Sequence, residues 1–290
     1  MEATEVVREV RTRGRRAVGR LARTLLPSWQ VSLSHVEPGL RLRVDLKRNL
    51  MFWWGGLAHF ERYSVSIARA AIRPGDTVID VGANIGFFTT LFARLAGPGG
   101  QVVAFEPDPD NLALLLSNVG DLDPRDTRVE VIRAAVAAEP GTAHFSRDKA
   151  TGATGHLGDD VTMGGSLYGD GTPLVEETPV ETVDAVVQRL GLKPSFLKLD
   201  IEGGEFDALR GARETLAASH PVVVSELGGE RGQDVLGLLS DAGYRLWNIE
   251  TGQAVPDVDP DPAMVVAVHH LEIDDDRGRR ILRALESLSE

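Results

Sequence analysis

The stretch GDTVIDVGANIGFFTTLFARLAGPGGQVVAFEPD, residues 75–108, decides how this chain is read. An apolar run at 77–81 carries Asp80 and ends in the glycine turn Gly82-Ala83-Asn84-Ile85-Gly86. A helical stretch follows, then a second apolar run at 101–105 that ends on Glu106. Strand, turn, helix and strand in that order make a parallel βαβ unit. Glycine has no Cβ and asparagine tolerates a left-handed backbone, so this turn lets main chain pass close to a ligand. Open parallel sheets bind ligands outside the carboxyl ends of their strands, where an acid after the second strand accepts the two hydroxyls of a ribose. Glu106 is placed for that task, and the expected ligand is of adenosine type.

Outward from this unit, apolar segments are spread evenly from residue 76 onward, which suits one elaborated α/β domain in a chain of 290 residues. We expect a basic arm and cap at 1–59, the main domain at 60–272 with a flexible substrate loop or lid at 148–173, and a helix at 273–290. The absence of cysteine excludes disulfides, thiolate metal sites and thiol nucleophiles. No apolar run approaches the roughly 20 residues that span a bilayer, and the first residues lack a signal-peptide core. A cytoplasmic location is the expectation.

The net charge of −12 conceals an asymmetry, because the first 30 residues hold seven arginines against three glutamates. The body of the chain repels polyanions, which argues against a nucleic-acid partner. The basic arm has two readings: an amphipathic helix on an anionic membrane surface, or an extension packed on its own domain or on a second copy. Trp53, Trp54, His59 and Phe60 either line a substrate pocket or cover one edge of the sheet.

Asp108 or Asp110 caps a helix from Pro109 to about Val119, with Asn111 in its first turn. A third strand at 129–133 runs into Ala134-Ala135-Val136, small enough for a flat ring to approach, and 141–147 reads as a hairpin insertion. The Gly- and Asp-rich segment 148–173 has no sustained period and suits a binding loop. It contains His156, a candidate general base or simply a solvated side chain. In 195–205, SFLKLDIEGGE, the strand period places Lys198, Asp200 and Glu202 on one side. Three charges on one face fit only where a strand emerges into a ligand crevice, with Lys198 as a buried ion-pair partner. A helix at 206–218 follows, then a strand that ends at Glu226, and a final pair of strands joined as a hairpin.

Three acids, Asp80, Glu106 and Asp200, thus stand at successive strand ends beside one glycine turn. That arrangement resembles the class I methyltransferases that use S-adenosylmethionine. More narrowly, IDVGANIGFFT, VVAFEPDPDN and FLKLDIEGGEFDALRGA resemble phrases of the FkbM-type family of these enzymes, over roughly residues 60–227. The resemblance implies a Rossmann-like seven-stranded sheet, six strands parallel and one antiparallel. It places Asp80, Gly82, Asn84 and Gly86 around the methionine part of S-adenosylmethionine and Glu106 at its ribose. Ala135, with Asp108 and Asn111 nearby, borders the adenine, and Asp200 and Glu202 flank the transferring methyl. It also implies an O-methyltransferase acting on sugars, polyketides or other secondary metabolites.

Methyl transfer to oxygen requires alignment and removal of one proton. Asp200 is the first candidate base and His156 the second, with Glu202 or Glu226 orienting the acceptor. A metal ion such as Mg²⁺ is not expected; if one bound, Asp200, Glu202 and Glu226 would be its ligands. Two rivals stand against this reading: an NAD-dependent oxidoreductase and a non-catalytic cofactor-binding subunit. Against the first, the turn reads D-x-G-x-N-x-G rather than G-x-G-x-x-G, and Asp80 would repel a pyrophosphate. Assembly of copies into a homo-oligomer is left open.

Overall fold

The computed structural model describes residues 28–37, 39–49, 61–123, 125, 127–148, 151–158, 174–227, 231–255 and 264–289. The expectations for the basic arm, for the Trp53-Trp54 region and for residues 159–173 of the loop lie outside them. The described chain opens with an antiparallel hairpin of β1 (Gln30–Glu37) and β2 (Leu40–Asp45). Helix α1 (Arg62–Ala71) leads into β3 (Thr77–Val81), α2 (Phe87–Ala96), β4 (Gly100–Phe105), α3 (Pro109–Gly120) and β5 (Thr127–Ile132). Next come the short strands β6 (Ala135–Val136) and β8 (His156–Leu157) and the longer β7 (Gly141–Arg147) and β9 (Leu174–Glu181). The chain continues through α4 (Val183–Leu190), β10 (Phe196–Leu199), α5 (Glu205–Arg210), α6 (Arg213–Ser219), β11 (Val222–Glu226) and α7 (Gly232–Asp241). It ends with β12 (Tyr244–Asn248), β13 (Met264–His269) and α8 (Asp276–Ser289).

The central sheet has the order β5-β4-β3-β10-β11-β13-β12, with β13 antiparallel to both of its neighbours and the other six strands running one way. This is the Rossmann-like seven-stranded arrangement expected from the sequence. Its strands are nearly continuous apolar runs because both faces are covered. Alternation sends Val78, Val102 and Phe196 to the face packed by α1, α2 and α8. Ile79, Val103 and Leu197 go to the face packed by α4, α6 and α7. Helix α8 buries Ile281 and Leu285, and its Arg277 holds Asp76 at 2.9 Å.

Three details differ from the sequence reading. The helix expected at 206–218 breaks into α5 and α6 at Gly211-Ala212. A Cβ on Gly211 would lie 2.2 Å from the Ala137 carbonyl oxygen, so two passing backbones meet there. The hairpin expected at 141–147 belongs to a separate four-stranded sheet of order β6-β9-β7-β8, which takes in Ala135 and Val136 as well. Strand β10 stops at Leu199, so Glu202 does not share a strand face with Lys198 but sits in the following turn at φ +55°. Among the described residues, no helix is long and apolar enough to cross a membrane.

Candidate functional site

The turn after β3 is built from left-handed residues: Gly82 at φ +83°, Asn84 at +51° and Gly86 at +90°. Gly82 has a second reason to be glycine, since a Cβ there would lie 2.0 Å from the Asp200 carbonyl oxygen. The turn is therefore fitted against the end of β10, and one substitution would displace both. The Asn84 backbone N–H points at the end of β4 and donates to Glu106 Oε2 at 2.7 Å, while the Asp108 N–H donates to Oε1 at 2.8 Å. Burial pushes the Glu106 carboxyl up to about 7, against the lowering effect of these two donors. Each oxygen retains acceptor capacity, which is what a vicinal diol requires.

Asp108 caps α3, accepting from the backbone N–H of Asp110 and of Asn111. Two arginines from elsewhere in the chain close on it: Arg147 Nε at 2.9 Å from the end of β7 and Arg48 Nη2 at 3.1 Å from the turn after β2. Burial raises the Asp108 carboxyl, but these guanidinium groups outweigh that and hold it below the ordinary carboxylate range. Arg147 also reaches Asp110 at 2.7 Å and Glu176 at 2.9 Å. The hairpin and the four-stranded sheet are thus both tied to the first turn of α3.

These elements enclose a cleft of about 720 Å³, within the roughly 300–1,000 Å³ usual for small-molecule sites. Gly82, Asn84, Glu106, Asp108 and Asn111 line one part of it. Ala135, with Ala134, Val136 and Ala137, supplies apolar lining, and His156 also lines the cleft. Asp200, Glu202, Asp207 and Arg231 are also in the lining. Two residues expected around the ligand do not line the cleft. Asp80 is fully buried beneath it, accepting from Thr89 Oγ1 at 2.6 Å; burial raises its carboxyl against the lowering effect of Lys198 and Thr89, and it braces the floor. Gly86 begins α2 and packs on Leu115, where it shapes the helix start. Glu226 also stands outside the cleft lining, one strand beyond Asp200.

The end of the cleft around Asp200 is rich in acid. Lys198 is 2% exposed, lies 4.7 Å above the Phe88 ring and donates to Asp200 Oδ2 at 2.8 Å. Burial would discharge this ammonium, but Asp200 and Asp80 outweigh it and keep it protonated. Asp200 Oδ1 receives no hydrogen bond among the described residues. Desolvation and the neighbouring Asp200, Glu205 and Asp148 push Glu202 up to about 7. Burial, with Asp200, Glu202 and Glu205, pushes Glu226 up to about 8. Glu61, ahead of α1, is raised by burial and by Asp200. Glu205 is buried and accepts the Ile201 N–H at 2.8 Å, which makes it a brace for the turn. Among the described residues, no group of three or more His, Asp or Glu side chains is placed to hold a metal ion.

Sequence reasoning missed Arg48, Arg147 and Gly152, the last of which accepts from Asn84 Nδ2 and Asn111 Nδ2. Nothing local marks an arginine after β2 as a partner of an aspartate 60 residues on. Gly152 was hidden among the other glycines of its loop.

Residues 80–246 match the family described as the methyltransferase FkbM domain. The chain is 31% identical over 196 residues to the 31-O-demethyl-FK506 methyltransferase FkbM of Streptomyces tacrolimicus, covering 60% of this chain and 74% of that protein. It is 29% identical to the hexuronic acid methyltransferase AglP of Haloferax volcanii, covering 58% of this chain and 62% of the relative. It is 27% identical to the 2-O-methyltransferase NoeI of Sinorhizobium fredii, covering 50% and 60%. The chain therefore spans about three quarters of the first of these relatives and less than two thirds of the other two. A solved FkbM methyltransferase from Methylobacillus flagellatus aligns with a TM-score of 0.43 and 19% identity, over 68% of this chain and 48% of that one.

Proposed function

We propose that this chain, which belongs to the FkbM methyltransferase family, is an S-adenosylmethionine-dependent O-methyltransferase acting on a hydroxyl of a sugar, a glycosylated metabolite or a polyketide. The observation that carries the reading is the convergence of Gly82, Asn84, Glu106 and Asp200 on one cleft of about 720 Å³. The relatives named for 31-O-demethyl-FK506 and for 2-O-methylation favour oxygen as the acceptor atom.

The residues present fit the cofactor. Glu106 would accept the ribose hydroxyls, the Ala134–Ala137 lining would take the adenine face, and Gly82 and Asn84 would lie beside the amino-acid part. When bound, S-adenosylmethionine supplies an activated methyl on a positively charged sulfur, and the acid-lined end of the cleft suits that charge. Asp200, fixed by Lys198 through one oxygen, keeps the other free to take the acceptor's hydroxyl proton. His156 remains the second candidate for that proton. Glu202 would hold further hydroxyls of a polyol. An acidic cleft in a chain of net charge −12 disfavours a polyanionic acceptor such as nucleic acid.

Calorimetry tests the cofactor directly, with S-adenosylmethionine expected to bind at micromolar concentration and NAD not at all. Preferential binding of NAD would overturn the assignment in favour of an oxidoreductase. Incubation with methyl-labelled cofactor and a panel of glycosylated metabolites then identifies the acceptor. Cofactor binding with no labelled product across sugar and polyketide hydroxyls would favour a non-catalytic subunit.

A further inference from the structure

Two asparagines of the sequence phrases converge on one atom that is not part of either phrase. Asn84 Nδ2, from the turn after β3, donates to the Gly152 carbonyl at 3.0 Å, and Asn111 Nδ2, from the first turn of α3, donates to the same oxygen at 2.8 Å. The orientation of both amides is settled by what their oxygens accept: the Ile85 N–H at 2.8 Å for Asn84 and Arg48 Nη2 at 3.3 Å for Asn111. A carbonyl has two lone pairs, and this one has both engaged. Gly152 itself is buried at φ +68°, where a Cβ would lie 2.4 Å from Asn111 Oδ1 and 2.6 Å from Arg48 Nη2. Asp148 ties the same segment from behind by accepting the Thr151 N–H at 3.1 Å, and the Gly152 N–H donates to the Asp148 carbonyl at 2.8 Å.

Beyond this junction, Gly152, Ala153, Gly155, His156 and Leu157 form the cleft wall that faces the strand ends. That wall crosses from the four-stranded sheet to the central one, and the two asparagine bonds are its direct tie to the cofactor-side elements. We infer that Asn84 and Asn111 are positioning residues that latch the Gly152 carbonyl and so hold the 152–157 wall of the cleft against bound cofactor. The inference rests on the cofactor reading above, and it gives the two amides a different task from contact with the ligand. The latch restrains the wall by two hydrogen bonds to a single carbonyl, so its release opens a route for cofactor exchange without unfolding the sheet.

The experiment uses the full chain with Asn84→Gly, which keeps the left-handed turn and removes only the amide, and the double variant with Asn111→Ala. Amide hydrogen exchange should accelerate in 151–158 while β3 and β4 keep their protection, and the melting temperature should hold. The dissociation constant for S-adenosylhomocysteine should rise roughly 2- to 12-fold for Asn84→Gly, through a faster off-rate, while the double variant is read by exchange because Asn111 also hydrogen-bonds Glu106. Unchanged exchange in 151–158 would overturn the latch. Faster exchange there with unaltered dissociation would overturn its role in holding cofactor, as would loss of protection spread through β3 and β4, which marks a merely structural bond. Should the double variant not fold, Asn84→Gly decides alone. Failure of the unaltered protein to bind S-adenosylhomocysteine would instead sink the cofactor reading and the wall's proposed task with it. The exchange result would still report whether the latch forms.

Discussion

Glu106 and Asp200 occupy equivalent places on either side of β3, each just past the carboxyl end of a parallel strand, and their surroundings are opposite. Glu106 is fully buried, its oxygens held by two backbone N–H groups and its carboxyl raised to about 7. Asp200 has a side chain 30% exposed and is bonded through one oxygen to an ammonium that is itself buried. Backbone donors fix a carboxylate in space with no freedom to follow a reaction, which suits a residue that recognises a diol. A carboxylate braced on one oxygen and open on the other suits a residue that meets a changing partner. One topology therefore supplies two acids, and local hydrogen bonding gives them opposite surroundings, as the proposed division between recognition and reaction requires.

The strongest test of this division is Asp200→Asn. Turnover should fall by about 10²- to 10⁴-fold while cofactor affinity holds, as read by labelled-methyl transfer alongside calorimetry. Turnover unimpaired in that variant would pass the role of base to His156. Next in size is Lys198→Met, which leaves Asp200 and the buried Asp80 without their shared cation. Removing one partner of a buried ion pair costs about 3–5 kcal/mol, to be read from chemical denaturation.

Glu106→Gln addresses the other half of the comparison, because the amide can accept only one of the two backbone donors. Loss of a charged acceptor predicts a cofactor affinity lower by roughly 10- to 100-fold, with turnover at saturation little changed. An affinity equal to wild type would remove the ribose role.

The smallest effect is a pH dependence shared by both halves. Glu106 and Glu226 hold protons in the folded protein to about 7 and about 8, whereas the unfolded chain has released them above the ordinary glutamate value of 4.5. The folded state binds more protons in that interval, so stability falls as pH rises through it. Between pH 7 and 8 the unfolding free energy should drop by about 1–2 kcal/mol, and Glu226→Gln should flatten the upper part of the slope. Below pH 6.5 the buried His269 acts in the opposite sense. Burial and the nearby His220 and His270 lower its folded value, so stability contributed by its neutral form is lost as acid protonates the unfolded chain.

The sequence by itself determined the βαβ unit and the turn and acids that line the cleft, Gly82, Asn84 and Glu106 among them, and its resemblance to a family implied the seven-stranded sheet. The unit, the turn and the acids follow from local chemistry: apolar runs that cannot face water, glycines and an asparagine needed at left-handed positions, and acids placed directly after strands. A cap at Asp108 or Asp110 and an ion pair between Lys198 and a neighbouring acid were legible for the same reason, and the structure selects Asp108 as the cap and Asp200 as the partner. Tertiary structure alone decided that Asp80 lies beneath the cleft and that α5 and α6 part at Gly211. It also decided that Arg48 and Arg147 meet on Asp108, and that Asn84 and Asn111 share the Gly152 carbonyl. These depend on contacts between segments tens of residues apart, and no period, cap or turn signal within a single segment encodes which distant donor reaches which acceptor.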